Sequence, residues 1–225
     1  MNKRLIVALL SLSFIVGCST TPPVKKAHFT SYDDFRDGDQ NGVDLVWSRK
    51  DILTAEQLHA IFSRYDSILL DRIWVVVDGS QLTDNEIKKL SIYLQDRLAQ
   101  KLSKYKKVVD APSPTTLRVS IAVSNIETPN PILAVTSSVM PVGLGISTIS
   151  KIVTGEHTNV GKATIELMVS DSTTNQPIIA AIDSRAGNKD FSTMIDSLDD
   201  AKDAINWWID RLGDILDNAR EKANQ

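Results

Sequence analysis

Two stretches of this chain repeat their apolar residues at three- and four-residue steps. Ile87, Leu90, Leu94, Leu98, Leu102 and Tyr105 form one such stripe, the mark of a helix with a single buried face. Thr83-Asp-Asn-Glu86 supplies a capping box at its start, and Lys101, Lys104, Lys106 and Lys107 crowd its end, where cations suit the carbonyl pole. The second stripe runs through Ala201, Ile205, Trp208, Leu212, Ile215 and Ala219, with a cap at Ser197-Leu-Asp-Asp200. Trp207 lies off it, as a partner contact or a shoulder of the core face. A shorter segment from Thr54 to Tyr65 places Leu58, Ile61, Phe62 and Tyr65 on one side of a third helix.

Other stretches alternate with a period of two. Thr116 to Glu127 carries Leu117, Val119, Ile121 and Val123 on one face of a strand and Arg118, Ser120, Ala122 and Ser124 on the other, so the second face is expected to be wetter. Ile68 to Asp78 reads as a strand around the buried run Ile73 to Val77, and Leu45 to Trp47 as a shorter one. Val160–Ser170 and Pro177–Ala186 form a hairpin around the turn Asp171 to Gln176. With Val169 opposite Ile178, Glu166 and Thr164 share the outward face with Ala181, Asp183 and Arg185, and Arg118 joins from the neighbouring strand. The expected fold is α+β: a single mainly antiparallel sheet with two amphipathic helices packed on one face. Helical crossovers make part of the sheet parallel.

The first residues change the picture of where this domain resides. Lys3 and Arg4 precede an apolar run from Leu5 to Val16, and Gly17 stands before the chain's single cysteine, Cys18. A basic start, a short apolar run and a small-residue cut site make a secretory signal, too short for the ~20 residues a spanning helix needs. Ile15-Val16-Gly17-Cys18 resembles the lipobox of bacterial lipoproteins, which implies acylation of Cys18 followed by cleavage before it. Ser19 after the cysteine implies an outer-membrane address facing the periplasm. The expected organisation is a signal peptide over 1–17, a lipidated cysteine and flexible linker over 18–30, and one α+β domain over 31–225. The linker STTPPVKKAHFT reaches at most ~40 Å at about 3.3 Å per residue.

Composition then narrows the function classes. Hydrophobic residues make up 42% of the chain, as in a folded globule. Losing Lys3 and Arg4 takes the net charge from −3 to −5, and no basic block remains for nucleic acid. With Cys18 acylated, no thiol is left for disulfides, thiolate metal sites or nucleophilic catalysis.

Three stretches invite a chemical reading. Asp37, Asp39 and Asn41 copy the start of a calcium loop, but its twelfth position is Ser48 instead of a glutamate, so an acidic turn is the plainer reading. Arg118, Glu166, Asp183 and Arg185 compose a possible polar-face site, either an acid–base pair with guanidinium support or cross-strand charge pairing worth ~0.2–1 kcal/mol per pair. Pro129 to Gly155 is the odd stretch: the chain holds no charge from Thr128 to Ser150, and Pro141, Gly143 and Gly145 forbid one straight helix. That stretch reads as a flap over the domain's own core, an oligomer contact or a loop entering lipid, with the flap foremost.

No nucleophile elbow, Walker loop, H-E-x-x-H or dinucleotide fingerprint occurs, and no cofactor is implied. The observations lean away from an enzyme. The expected role is a lipid-anchored envelope protein, a non-catalytic accessory or assembly factor that binds a protein partner or itself, with the membrane as its other contact. The alternatives are a small-ligand binder or hydrolase using the polar face, and an oligomeric pore-type subunit.

The hairpin strings Gly161-Lys-Ala-Thr-Ile-Glu166, Val169-Ser-Asp171-Ser-Thr173 and Ala180-Ala-Ile-Asp183-Ser-Arg185-Ala-Gly187 resemble a bacterial lipoprotein family known as domain of unknown function 3313. The order of Tyr32, Val46-Trp47, Val75-Val-Val-Asp78 and the Leu117–Val123 strand is similar too, so the likeness runs from about Tyr32 to Ala219. The chain departs from it at Asn175-Gln176, where the turn of relatives often has Gly-Glu. The resemblance implies an envelope compartment and brings no reaction with it.

Overall fold

A computed structural model of the chain describes residues 32–38, 43–77, 83–126, 150–153, 160–186 and 198–223. The signal peptide and Cys18, the linker, Asp39, Asn41 and most of the uncharged stretch lie outside the described residues. The described elements are β1 (Arg36–Asp37), β2 (Leu45–Ser48), α1 (Ala55–Phe62), β3 (Ser67–Val77), α2 (Asp84–Leu102), β4 (Lys107–Val109), β5 (Thr116–Ile126), β6 (Ser150–Val153), β7 (Val160–Asp171), β8 (Pro177–Ala186) and α3 (Leu198–Ala223). Their strands make one sheet in the order β1-β2-β8-β7-β5-β3-β4, with β6 also beside β3.

The β3–β5 pair is parallel because α2 carries the chain back across the sheet between them, and β4 and β6 also run parallel to β3. From β5 outward, every pairing is antiparallel. The expected α+β class with a mainly antiparallel sheet is therefore the observed one. β6, pairing Ser150–Val153 with Trp74–Val77, was not expected from the sequence.

Local chemistry sets the helix starts. Thr83 accepts from the Glu86 N–H at 3.3 Å while the Glu86 carboxylate takes the Thr83 N–H at 2.8 Å. Thr54 and Gln57 make the same reciprocal pair at α1. All three described helices lie on one face. Ile87, Leu90, Leu94, Leu98 and Leu102 of α2 and Ile205 and Ile209 of α3 are buried with Ile73, Val119 and Ile121 of the sheet, and Leu58, Ile61 and Phe62 of α1 pack at the margin.

The α3 stripe is rotated from expectation. Ala204 and Ile209 are buried, whereas Ile215 is 36% exposed, because the helix turns its Ala204–Trp208 side to the sheet. Trp207 is a half-buried shoulder of that packing, with the Arg211 guanidinium 5.0 Å from its ring centre.

The two long helices run parallel, since their contacts advance together. Tyr93 and Arg97 donate to Asn206, Lys101 pairs with Asp210, and the Tyr105 hydroxyl reaches Asp217 at 2.7 Å. Burial, and then this bond, push the Tyr105 phenol up to about 12. Among the described residues, no helix is long and apolar enough to cross a membrane.

Two outcomes follow for stability. Leu94→Ala is expected to lower unfolding free energy by about 2–5 kcal/mol in urea titrations, as for a side chain cut from a packed core. For Tyr105, an unfolded phenol ionises near the ordinary 10.0 while the folded one holds its proton to about 12. Its contribution is thus complete below pH 10.0 and disappears as pH rises to about 12. Tyr105→Phe should flatten the loss of stability over that interval in pH-dependent melts.

Candidate functional face of the sheet

The hairpin register decides whether the sequence-predicted polar face exists. Val169 stands opposite Ile179, not Ile178, because the pairing slips between Val169 and Ser170, and Ser170 meets Pro177. A shift of one residue turns every side chain of a strand to the other face. Ile165 is therefore opposite Asp183, and Glu166 is opposite Ile182. The two carboxylates point to opposite sides of the sheet.

Asp183 faces the helices. It is buried under α3, where the Trp208 indole N–H donates to its Oδ2 at 2.9 Å. Trp208 was read as a core residue and its partner was missed, since nothing local in the sequence ties position 208 to position 183. Glu166 lies on the second face in a row with Ala122 of β5 and Trp74 of β3. Arg118 shares that face but sits four residues along β5 from Ala122, about 13 Å at a strand's rise of ~3.3 Å per residue.

Its actual partner is Asp71, at 3.1 Å, and Ser120 also donates to Asp71 at 3.1 Å. Asp71 reaches them because β3 is irregular against β5 between Leu70 and Ile73. Arg185 pairs with Ala163 in the ladder, and its side chain lies outside the described ones. The structure thus joins Arg118 and Glu166 only as distant members of one face, and Asp183 belongs to neither.

That second face is also drier than the alternation suggests. Ala122, Ser124 and Ser120 are 0%, 1% and 4% exposed, and Trp47, Trp74, Val76, Met168 and Ala180 form a buried cluster on which Phe35 packs. The wetter face expected from Arg118, Ser120, Ala122 and Ser124 is in fact buried. Small hydroxyls survive there because residues of their size fit under cover while bonding locally, as Thr164 does with Ser184 at 3.2 Å.

At the opposite end of the hairpin, burial pushes the Asp171 carboxyl up. Bonds from the Thr174 N–H, the Thr173 and Thr174 hydroxyls and Tyr65 together outweigh it, and the group sits below its ordinary value. Asn175 takes φ 55°, a left-handed conformation that asparagine tolerates better than most side chains, so the absence of glycine from this turn costs little.

No three His, Cys, Asp or Glu side chains converge among the described residues. Asp37 of the calcium reading lies in β1 opposite Leu45, with its side chain exposed. The recess beside the β3 irregularity, lined by Leu70, Asp71, Ile73 and Gln95, has no room for a water molecule.

Comparison with known proteins gives a family and a loose structural likeness. A family described as "Protein of unknown function (DUF3313)" matches residues 35–212. Two solved structures of PelC dodecamers from Paraburkholderia phytofirmans are similar to this chain. One is 13% identical, covering 67% of this chain and 89% of that chain with a TM-score of 0.31. The other, of a point variant, is 12% identical, covering 57% and 72% with a TM-score of 0.26. None of the curated proteins is a match.

Trp208→Phe tests the placement of Asp183. Removing the indole N–H that reaches this buried carboxylate is expected to cost about 1–3 kcal/mol of stability, read as a lower urea midpoint. A silent substitution would mean that Asp183 faces away from α3.

Proposed function

The chain belongs to the family described as Protein of unknown function (DUF3313), and from that footing we propose that it is a lipid-anchored protein of the cell envelope with a non-catalytic role, an accessory or assembly factor that holds a protein partner. The observation that carries the non-catalytic half is the hairpin register. Glu166 and Asp183 lie on opposite faces, so the one acid–base pair suggested by the sequence is not assembled.

The anchoring half rests on Ile15-Val16-Gly17-Cys18 behind a basic start and a short apolar run. Each acyl CH₂ buried in the bilayer contributes about 0.8 kcal/mol, so several chains on one cysteine hold a globule of this size firmly. Ser19 supports the outer membrane, facing the periplasm. The mildly acidic balance supports a protein or lipid contact over nucleic acid. No cofactor enters this reading.

Mass analysis of the native protein tests it. The expected N-terminus is an acylated Cys18, and Cys18→Ala is expected to move the protein from the detergent phase to the aqueous phase. An unacylated native chain already in the aqueous phase would overturn the anchoring and the address together.

A further inference from the structure

We propose that the segment from Leu53 to Tyr65, which carries α1, is a cover held shut by a clasp between Tyr65 and Asp171, and that protonation of Asp171 loosens it. The two roots of the segment are fixed. Arg49 donates its N–H to the Ile178 carbonyl at 3.0 Å on one side, and the Asp66 N–H reaches the Thr115 carbonyl at 2.9 Å on the other. Between these roots the attachment is thin. No residue of α1 is fully buried, whereas α2 buries Ile87, Leu90, Ser91, Leu94, Leu98 and Leu102. Leu58, Ile61, Phe62 and Tyr65 meet the core cluster only at partial burial, and Leu53 is 74% exposed. A helix of eight residues is not stable on its own, so what keeps α1 in place comes from outside it.

The polar ties that do so pass through one residue. The bonds made by Leu53, Thr54, Gln57 and Ser63 close on the segment itself. Among the described residues, the bonds that leave the segment both belong to Tyr65. Its hydroxyl donates to Asp171 Oδ2 at 3.0 Å, and its carbonyl accepts from Lys106 Nζ at 2.6 Å. The first of these joins the end of α1 to the turn of the β7–β8 hairpin, 106 positions away.

The carboxylate is arranged so that a proton lands on the oxygen Tyr65 uses. Four donors crowd Asp171 Oδ1: the N–H and hydroxyl of Thr173 at 3.0 and 2.9 Å, and those of Thr174 at 2.7 and 3.0 Å. Oδ2 is the oxygen left to receive a proton. Protonation then exchanges a charged acceptor for a neutral one, and hydrogen bonds to ionised groups are roughly twice as strong. Cations, which acid does not neutralise, stand around the clasp. Arg49, paired with Asp51, acts on both Asp171 and Tyr65, Arg64 acts on Tyr65, and Lys106 holds the second tie. Asp66 turns instead to the Ser67 hydroxyl at 2.8 Å.

The direction of the pH response follows. Burial raises the Asp171 carboxyl, and the bonds from Thr174, Thr173 and Tyr65 together bring it below its ordinary 3.8. The clasp is therefore complete above 3.8 and weakens as pH falls through the lower, folded value. Burial, and then the Asp171 bond, hold the Tyr65 phenol above its ordinary 10.0, so it stays a donor throughout.

Amide hydrogen exchange in the Cys18→Ala full-length chain tests this, with each rate taken relative to the unfolded chain at the same pH. Going from about pH 7 to about pH 3 is expected to open residues 55–65 about tenfold more often, while residues 87–102 of α2 change little. Tyr65→Phe is expected to open 55–65 by a similar factor at neutral pH and to remove most of the further response to acid. Asp171→Asn, which keeps an oxygen for the threonine donors, is the second variant, and its α1 exchange should no longer follow pH. Protection lost from α1 and α2 together, in acid or in Tyr65→Phe, would mean that the whole domain loosens and would overturn the proposal. An α1 that neither acid nor Tyr65→Phe opens, or an acid response that survives both substitutions, would overturn it as well.

Discussion

A single slip in one ladder, between Val169 and Ser170, sets which side chains of the hairpin meet the helices. It sets Ile179, Ala181 and Asp183 of β8 beside Val169, Leu167 and Ile165 on the helix side, and Ala180 and Ile182 beside Met168 and Glu166 on the other. Moving the register by one residue would bury Ala180 and Ile182 against the helices and turn Asp183 outward. The Trp208–Asp183 bond then acts as a lock on the observed register, because it joins α3 to β8 through a carboxylate with no route to water. Truncating either partner leaves a buried polar group behind, which costs more than the bond itself contributes.

The β3–β5 pair provides the frame for that lock. The two strands run side by side from Ser67 opposite Thr116 to Val76 opposite Ser124, with Ile73, Val119 and Ile121 reaching into the helix layer and Trp74 and Ala122 into the other cluster. Parallel strands buried on both faces carry apolar residues almost continuously, which accounts for the run from Ile73 to Val77. The edges are short, at two residues for β1, three for β4 and four for β6, which leaves little ladder for another chain to extend. The Arg118–Asp71 pair sits near the β3 irregularity, partly shielded and satisfied across two strands, so its charges tie strands together instead of presenting a reactive group.

Much of this fold was legible because it is local. The box at Thr83–Glu86, the leucine stripe of α2 and the alternation of Leu117 to Val123 are each decided within a few residues, and each stands where the periodicity puts it. What failed depends on partners distant in the chain. The turn from Asp171 to Gln176 does not reveal that β8 carries an extra residue, Ile178, opposite the Val169–Ser170 step, so the register and with it the shared carboxylate face were misread. Asp71 could not be assigned to Arg118, 47 positions later, without knowing that β3 bulges. The small polar residues of β5 suggested water, but alternation reports only that two faces differ, not that one is wet. Ile215 fits the helical period by sequence and is still half out of the core, because the direction in which α3 leans on the sheet is a tertiary choice.

Backbone contacts across the hairpin, measured by nuclear magnetic resonance on the Cys18→Ala domain, test this account most directly. It predicts Ile165 opposite Asp183 and Glu166 opposite Ile182. Contacts that instead set Glu166 opposite Ala181 would bring both carboxylates to one face and contradict the non-catalytic reading at its root.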